Sequence, residues 1–143
     1  QQETGNNVIV VGGGLVGCET GLYLAEKGKN VTIIDMLPEV AQNVIFMARF
    51  SLLQALAEKG IKTEAGLELL EILDDGIITR DSEGNTKKLN CDTVVIAMGL
   101  MADDALFEEL KNEVDEIYRI GDCLKARKFI DATHEAFQAA IDI

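Results

Sequence analysis

The sequence is poor in the residues that build disulfide frameworks and metal centres. Its 143 residues include three cysteines, one histidine and one proline. The cysteines, at positions 18, 91 and 123, form no C-x-x-C pair and no spacing typical of zinc or iron–sulfur sites. Their odd number and wide spacing indicate reduced thiols and a cytoplasmic protein. We therefore expect no metal site in this chain.

Long apolar runs and leader signals are also lacking. No apolar stretch approaches the roughly 20 residues of a transmembrane helix, and no signal peptide is visible. We expect no association with a membrane. The chain begins with Gln1 rather than methionine, which indicates a piece of a longer protein. Its length is sufficient for one domain with its own core.

Positive charge is scarce as well. Lysine and arginine total 13 against 25 acidic residues, which gives a formal net charge of −12. This charge argues against nucleic-acid binding and against an anionic membrane surface. The single histidine, His134, has no nucleophile paired with it in the sequence, and we interpret it as a surface residue. We assign no catalytic residue to the chain.

What the sequence does contain is a glycine cluster directly after a strand-like apolar run. Residues 8–11 are apolar and β-branched, and glycines follow at positions 12, 14 and 17 as a helical pattern begins. This G-x-G-x-x-G pattern between a strand and a helix indicates a dinucleotide site. Gly12 permits the tight turn, Gly14 the close approach of a pyrophosphate, and Gly17 the packing of helix on strand.

The start of the following helix offers further phosphate ligands. The amides of Gly14, Leu15 and Val16 point away from the helix, and the helix macrodipole adds roughly half a positive charge there. A glycine-rich turn of this kind also occurs in methyltransferases, and a purely structural turn is a further alternative. The cluster therefore predicts an anion-binding helix tip but does not name the ligand.

Asp35 narrows the choice of ligand. It ends the next apolar run, residues 31–35, and follows Gly12 by 23 positions. The acid that holds the adenosine ribose of NAD is expected about 20 residues after the glycine pattern. Its carboxylate accepts hydrogen bonds from both ribose hydroxyls and repels a 2′-phosphate. We predict a preference for NAD over NADP, with a turn-capping role for Asp35 as the alternative.

The order of elements predicts an α/β fold, a Rossmann-like parallel sheet with helices on both faces and a three-stranded antiparallel meander. The first strands and helices alternate, and right-handed crossovers make their sheet parallel. Asp-Gly and Gly-Asn turns predict the meander. The predicted strands are 8–11, 31–35, 61–64, 69–73, 76–80, 86–90, 93–98 and 117–120, and the predicted helices are 15–27, 44–59, 103–111 and 130–143.

We interpret residues 1–143 as a single dinucleotide-binding domain. Its core covers residues 8–112, and residues 113–143 form a terminal segment. The predicted strand at 117–120 is expected to pair beside residues 94–97, with a swapped dimer as the alternative.

The sequence of signals resembles the pyridine-nucleotide-disulfide-oxidoreductase superfamily. The resemblance rests on the glycine turn, Asp35, the meander, the run Asp92–Gly99 and the Gly-Asp motif in Ile117–Cys123. Residues 120–137 look most like the C-terminal end of NADH:flavin oxidoreductases of the 2,4-dienoyl-CoA reductase/2-enoate reductase group. That superfamily inserts an NAD(P) domain into an FAD domain. The resemblance therefore makes residues 8–112 the NAD core and residues 113–143 the returning FAD segment.

The resemblance also implies cofactors and contacts. NAD(H) would bind this chain, FAD would bind in the parent protein, and FMN and an iron–sulfur cluster would lie upstream. The glycine turn would hold the pyrophosphate, Asp35 the adenosine ribose, and Met36 would lie beside the adenine. Glu19 would lie near the nicotinamide, with a simple helix-start charge as the alternative. Gly99 would let the chain approach the cofactor. Asp122 would bind the ribityl chain of FAD, with an ordinary turn residue as the alternative.

The implied function is to position NADH for hydride transfer to FAD in a flavin-dependent oxidoreductase. Its partners would be the missing half of the FAD domain and an upstream catalytic domain. The isolated chain is expected to bind NAD(H) weakly and to turn over nothing. Two alternatives stay open. A non-enzymatic NAD sensor is favoured if no second glycine pattern precedes the chain, and a methyltransferase is favoured by binding of S-adenosylmethionine but not NADH.

Overall fold

The computed structural model describes residues 3–143, which form two compact units. The first unit ends at Gly99 and the second begins at Leu100. The first unit carries the strands and two helices, and the second is helical. The elements are β1 Asn7–Val11, α1 Leu15–Glu26, β2 Asn30–Asp35, α2 Phe46–Glu58, β3 Lys62–Ala65, β4 Glu68–Leu73, β5 Gly76–Arg80, β6 Thr86–Asn90, β7 Thr93–Ile96, α3 Ala105–Leu110 and α4 Phe129–Asp142. A 3₁₀ turn, Gly121–Cys123, precedes α4. The expected division into functional domains at residue 112 stays a prediction.

A four-stranded parallel sheet forms the centre of the first unit, in the order β3-β2-β1-β7. Its middle strands β1 and β2 are almost continuously apolar, because a central parallel strand is covered on both faces. Val10 and Ile33, which pair across β1 and β2, are fully buried. The α/β class, the parallel sheet and the meander predicted from the sequence are confirmed.

The two faces of this sheet carry different layers. Val8 and Val10 of β1 belong to one core cluster with Cys18 and Leu24 of α1 and Leu56 of α2. The alternate residues of β1 belong to a second cluster, in which Ile9 and Val11 pack with Ile77 of β5. Helices therefore cover one face, and the antiparallel sheet β4-β5-β6 covers the other.

This arrangement corrects the expectation of helices on both faces. The chain moves from β1 to β2 to β3 in the same direction across the sheet. Because both crossovers are right-handed, both connecting helices lie on the same face. The meander then takes the place that a third crossover helix would occupy, between β3 and β7. The sequence order alone permitted either arrangement.

The second unit, Leu100–Ile143, contains α3 and α4. The predicted strand at 117–120 is wrong, because these residues form no ladder within the part of the chain that the structure describes. Ile120 has extended dihedral angles, but extended backbone becomes a strand only when a neighbour takes its backbone hydrogen bonds. In the described sheet β7 pairs with β1, up to Ile96. A swapped dimer stays untested.

No helix within residues 3–143 has both the length and the apolar character needed to cross a bilayer.

Candidate dinucleotide site

The glycine turn lies where β1 ends and α1 begins, at the point where the order of strands reverses. Gly12 has a φ of 110°, a value that side-chain-bearing residues rarely adopt. A Cβ at this position would also collide with the backbone carbonyl of Ala97, just after β7. The amide of Gly12 donates to Ile34 O at 2.9 Å and extends the pairing of β1 with β2. Gly12 is thus fixed between the ends of both neighbouring strands, at a switch point of the sheet.

Gly17 lets α1 lie directly on this turn. A Cβ on Gly17 would overlap the carbonyl oxygen of Gly12, so any larger residue would push the helix away. Gly21 does the same one turn later, since its Cβ would lie 2.9 Å from Cδ1 of Ile33. Gly21 was not among the residues predicted from the sequence. Its signal was the four-residue spacing from Gly17, which places both glycines on one helix face.

Gly14 behaves differently from the other two glycines of the pattern. Its φ of −70° and ψ of −176° are open to any residue, and a Cβ there would meet nothing within 4 Å. The fold therefore makes no demand for glycine at this position. What glycine provides here is free space in front of the helix.

The tip of α1 is open. The amide of Cys18 binds the carbonyl of Gly14 at 3.0 Å and closes the first helical hydrogen bond. The amides of Leu15, Val16 and Gly17 precede this first intrahelical donor and therefore have no carbonyl partner within the helix. Leu15 and Val16 are 48% and 68% exposed, and the first turn contains no acidic side chain. These donors and the helix dipole suit an anion such as a pyrophosphate.

Asp35 is tied to the glycine turn by its own carboxylate. One oxygen, Oδ2, accepts the amide of Gly13 at 2.6 Å, and the other, Oδ1, accepts the amide of Leu37 at 2.8 Å. The half-buried carboxylate thus caps a turn, as the alternative to ribose binding supposed. Each carboxylate oxygen can accept a second hydrogen bond, so capping does not preclude ribose binding. The two amides fix the orientation of the group.

The loop at residues 39–41, which was not predicted to belong to the site, is hydrogen-bonded to the glycine turn. The amide of Ala41 donates to the carbonyl of Gly13 at 2.7 Å. Val40 and Ala41 are buried, and Ala41 has a φ of 57°, in the left-handed region. Arg49 of α2 holds the same loop by donating to the carbonyl of Val40 and to the carboxylate of Glu39. No local pattern indicates this contact, because it joins a loop to a turn distant in sequence.

Cys18 is a core residue, as predicted. It is fully buried, and its Sγ lies 3.4 Å from the carbonyl oxygen of Gly13. Burial raises the pKa of the Cys18 thiol to about 11, and the negative charges of Asp35 and Glu19 add to the effect. A thiol with this pKa is protonated at neutral pH and is a poor nucleophile. Its place in the site is structural.

The remaining predicted site residues make none of the hydrogen bonds described above. Glu19 lies exposed on α1, one position beyond Cys18, and Met36 follows Asp35 with 69% of its surface exposed. Gly99 follows β7, the neighbour of β1, and open space surrounds its Cβ position. Asp122 lies exposed in the 3₁₀ turn of the second unit. The structure thus brings the glycine turn and Asp35 together by direct contacts.

Comparison with known proteins agrees with this geometry. The pyridine nucleotide-disulphide oxidoreductase family matches residues 1–140 of the chain. A Thermoanaerobacter brockii NADH oxidase is 38% identical over 137 residues, which are 95% of this chain and 21% of that protein. A cinnamate reductase of Clostridium sporogenes is 30% identical over 146 residues, covering all of this chain and 22% of that protein.

A solved structure supports the same assignment. The structure of a 2-naphthoyl-CoA reductase superposes with a TM-score of 0.79 at 29% identity, covering 99% of this chain and 22% of that one. The chain thus spans about a fifth of the length of the proteins that it matches. The superfamily resemblance found in the sequence is confirmed.

Proposed function

Because the chain belongs to the pyridine nucleotide-disulphide oxidoreductase family, we propose that it is the NAD(H)-binding part of a flavin-dependent oxidoreductase and positions NADH for hydride transfer to FAD. The observation that carries this proposal is the open tip of α1 beside a fixed carboxylate. Both features fit an adenine dinucleotide: side-chain-free space at Gly14 for a phosphate and acceptor oxygens on Asp35 for a ribose. The bound nicotinamide and flavin supply the redox chemistry, and this chain orients them.

Each residue has a separate task in this proposal. The amides at Gly14, Leu15 and Val16 bind the pyrophosphate oxygens, whose charge the helix dipole favours. Asp35 accepts hydrogen bonds from the adenosine ribose, and Met36 lies against the adenine as an exposed apolar side chain.

The nicotinamide half extends toward the ends of β1 and β7 in this proposal. Glu19 on α1 and Gly99 after β7 would contact this half of the cofactor. The open space at Gly99 admits a planar ring close to the backbone. None of these tasks requires proton transfer or a nucleophile from the chain, which is consistent with the inert thiol of Cys18.

Asp35 also sets the preference between the two nicotinamide dinucleotides. A 2′-phosphate on the ribose would bring a second negative charge next to a carboxylate that Gly13 and Leu37 hold in place. Two like charges about 4 Å apart at a protein surface repel by about 4 kcal/mol before salt screening. We expect NADH to bind at least about tenfold more tightly than NADPH, a difference of about 1.4 kcal/mol.

The wider protein would supply the remaining parts. The NADH oxidase and the cinnamate reductase that resemble this chain are both about five times as long. We propose that the other half of the FAD site, with FMN and an iron–sulfur cluster in an upstream domain, lies outside residues 1–143. Asp122 would then contact the ribityl chain of FAD. The three free cysteines are consistent with the reduced environment of the cytoplasm.

Calorimetry of residues 1–143 tests the proposal directly. We expect weak but measurable heat with millimolar NADH, less with NADPH and none with S-adenosylmethionine. The absence of heat with NADH would refute the proposed nucleotide binding. Binding of S-adenosylmethionine alone would indicate a methyltransferase. The isolated chain should not oxidise NADH above the buffer rate, and oxidation without added flavoprotein would contradict the division of labour proposed here.

A further inference from the structure

A carboxylate on α4 fixes the backbone of the Gly-Asp turn in the second unit. Oε2 of Glu135 accepts the amide of Gly121 at 2.8 Å. The other oxygen, Oε1, accepts a hydrogen bond from Nη2 of Arg127, with which Glu135 forms an ion pair. The Glu135 side chain is 22% exposed. One side chain thus connects α4 with the 3₁₀ turn and with the loop between them.

Gly121 is also held from the other side. Its carbonyl accepts the amides of Leu124 and Lys125, each at 3.0 Å. Its φ of 64° lies in the left-handed region, and a Cβ would lie 3.3 Å from Cβ of Ala132 on α4. Both polar groups of the Gly121 backbone are therefore used inside the second unit. The direction in which the next residue, Asp122, leaves the turn follows from these bonds.

We propose that Glu135 is a positioning residue for the flavin: its hydrogen bond to the Gly121 amide sets the backbone from which Asp122 reaches the ribityl chain. This inference rests on the role given to Asp122 under the proposed function. Glu135 makes no contact with the flavin in this scheme and acts through the turn. The hydrogen bond from Gly121, and after it the bond from Arg127, lower the pKa of Glu135. The carboxylate is therefore ionised at neutral pH and remains an acceptor.

The test uses the complete flavoprotein that contains this chain and measures FAD retention. Glu135→Ala removes the acceptor, and we expect the dissociation constant of FAD to rise about tenfold, because the backbone and side chain of Asp122 must then be ordered when FAD binds. Glu135→Gln keeps one oxygen for the Gly121 amide and should stay within about threefold of the parent protein. Gln138→Ala, an exposed change on the same helix, is the matched control. The absorption spectrum of the bound flavin and the affinity for NADH are measured for each variant.

The outcomes separate positioning from a general structural role. Selective loss of FAD in Glu135→Ala, rescue in Glu135→Gln and unchanged NADH affinity support the proposal. Equal FAD retention in Glu135→Ala and Gln138→Ala overturns it, as does equal loss of FAD and NADH. Asp122→Ala distinguishes failure of this inference from failure of the proposed function. If the Asp122→Ala variant retains FAD normally, the role given to Asp122 is wrong. If Asp122→Ala retains FAD weakly but Glu135→Ala retains it normally, the inference about Glu135 alone is refuted.

Hydrogen exchange in residues 1–143 checks the geometry without the flavin. The Gly121 amide should exchange slowly in the unmodified chain and at least about tenfold faster in Glu135→Ala. Fast exchange in the unmodified chain would overturn the proposal before any flavin is measured.

Discussion

Replacing Gly14 by alanine separates the needs of the fold from those of the ligand. The backbone at Gly14 is in a region that alanine adopts freely, and the added methyl group meets no atom within 4 Å. No strain is therefore expected. Alanine is a poorer N-cap than glycine by roughly 0.5–1 kcal/mol, and its restriction of the unfolded chain, worth about 0.4–1 kcal/mol, offsets this loss. We expect the free energy of unfolding to change by less than about 0.5 kcal/mol.

The same methyl group should greatly weaken binding of NADH. It occupies open space at the N-cap of α1, where under the proposed function the amides of Leu15 and Val16 meet the pyrophosphate. Moving the phosphate away from the helix tip lengthens charge-assisted hydrogen bonds that each contribute roughly 1.5–3 kcal/mol. Weakening one of them lowers the affinity by at least about tenfold.

Gly17→Ala is the matched comparison. Its Cβ would overlap the carbonyl oxygen of Gly12, so α1 must move away from β1 and the buried contacts of Cys18 are disturbed. We expect a loss of stability of about 2–4 kcal/mol together with a loss of binding. Urea denaturation and calorimetry with NADH are measured for both variants. A Gly14→Ala variant that binds NADH as well as the unmodified chain would refute the placement of the pyrophosphate at this tip.

Three further outcomes follow from the same contacts. Asp35→Asn leaves one acceptor oxygen for two amides, those of Gly13 and Leu37. The free energy of unfolding in urea should therefore fall by about 1–3 kcal/mol, and an unchanged denaturation midpoint would contradict the importance of these two hydrogen bonds. The pKa of Cys18 is raised from 9.0 to about 11, so the unfolded chain loses this proton first. The stability it contributes is complete below pH 9 and falls by about 2 kcal/mol between pH 9 and pH 11, a decline that Cys18→Ala should lack when unfolding is measured at pH 8 and 10.5. Gly21→Ala should destabilise the chain by about 1–3 kcal/mol without changing NADH affinity after correction for the unfolded fraction, and selective loss of binding would assign Gly21 to the ligand site.

Residue patterns in the sequence predicted the elements whose structure depends on neighbouring residues. The meander was predicted almost to the residue, because Asp74-Asp75-Gly76 and the turn before Thr86 dictate where the strands reverse. The buried strands β1 and β2 followed from their β-branched apolar runs. The hydrogen bond from Gly13 to Asp35 was not predicted, although Asp35 and the glycines on either side of Gly13 were singled out, because spacing along the chain does not reveal which amide a carboxylate faces.

The errors lie where the outcome depends on distant parts of the chain. The face on which α2 packs depends on the position of β3 in the sheet, which the sequence between them does not encode. The run at 117–120 has the composition of a strand, but a strand needs a partner. Within the described residues its neighbours in sequence form the 3₁₀ turn and α4 instead. Long-range pairing is thus the step that single-sequence reasoning does least well.

The glycine pattern itself combines two kinds of constraint that a sequence cannot tell apart. Gly12 and Gly17 are required by the fold, since the backbone at Ala97 and at Gly12 itself leaves no room for a side chain. Gly14 is surrounded by open space and has ordinary dihedral angles. Glycine is a modestly better N-cap than alanine, but neither the backbone nor the packing requires it here, and a ligand that must come close explains it best. Gly14 is therefore the strongest single-residue argument for dinucleotide binding, stronger than the match to the pattern that first drew attention to it.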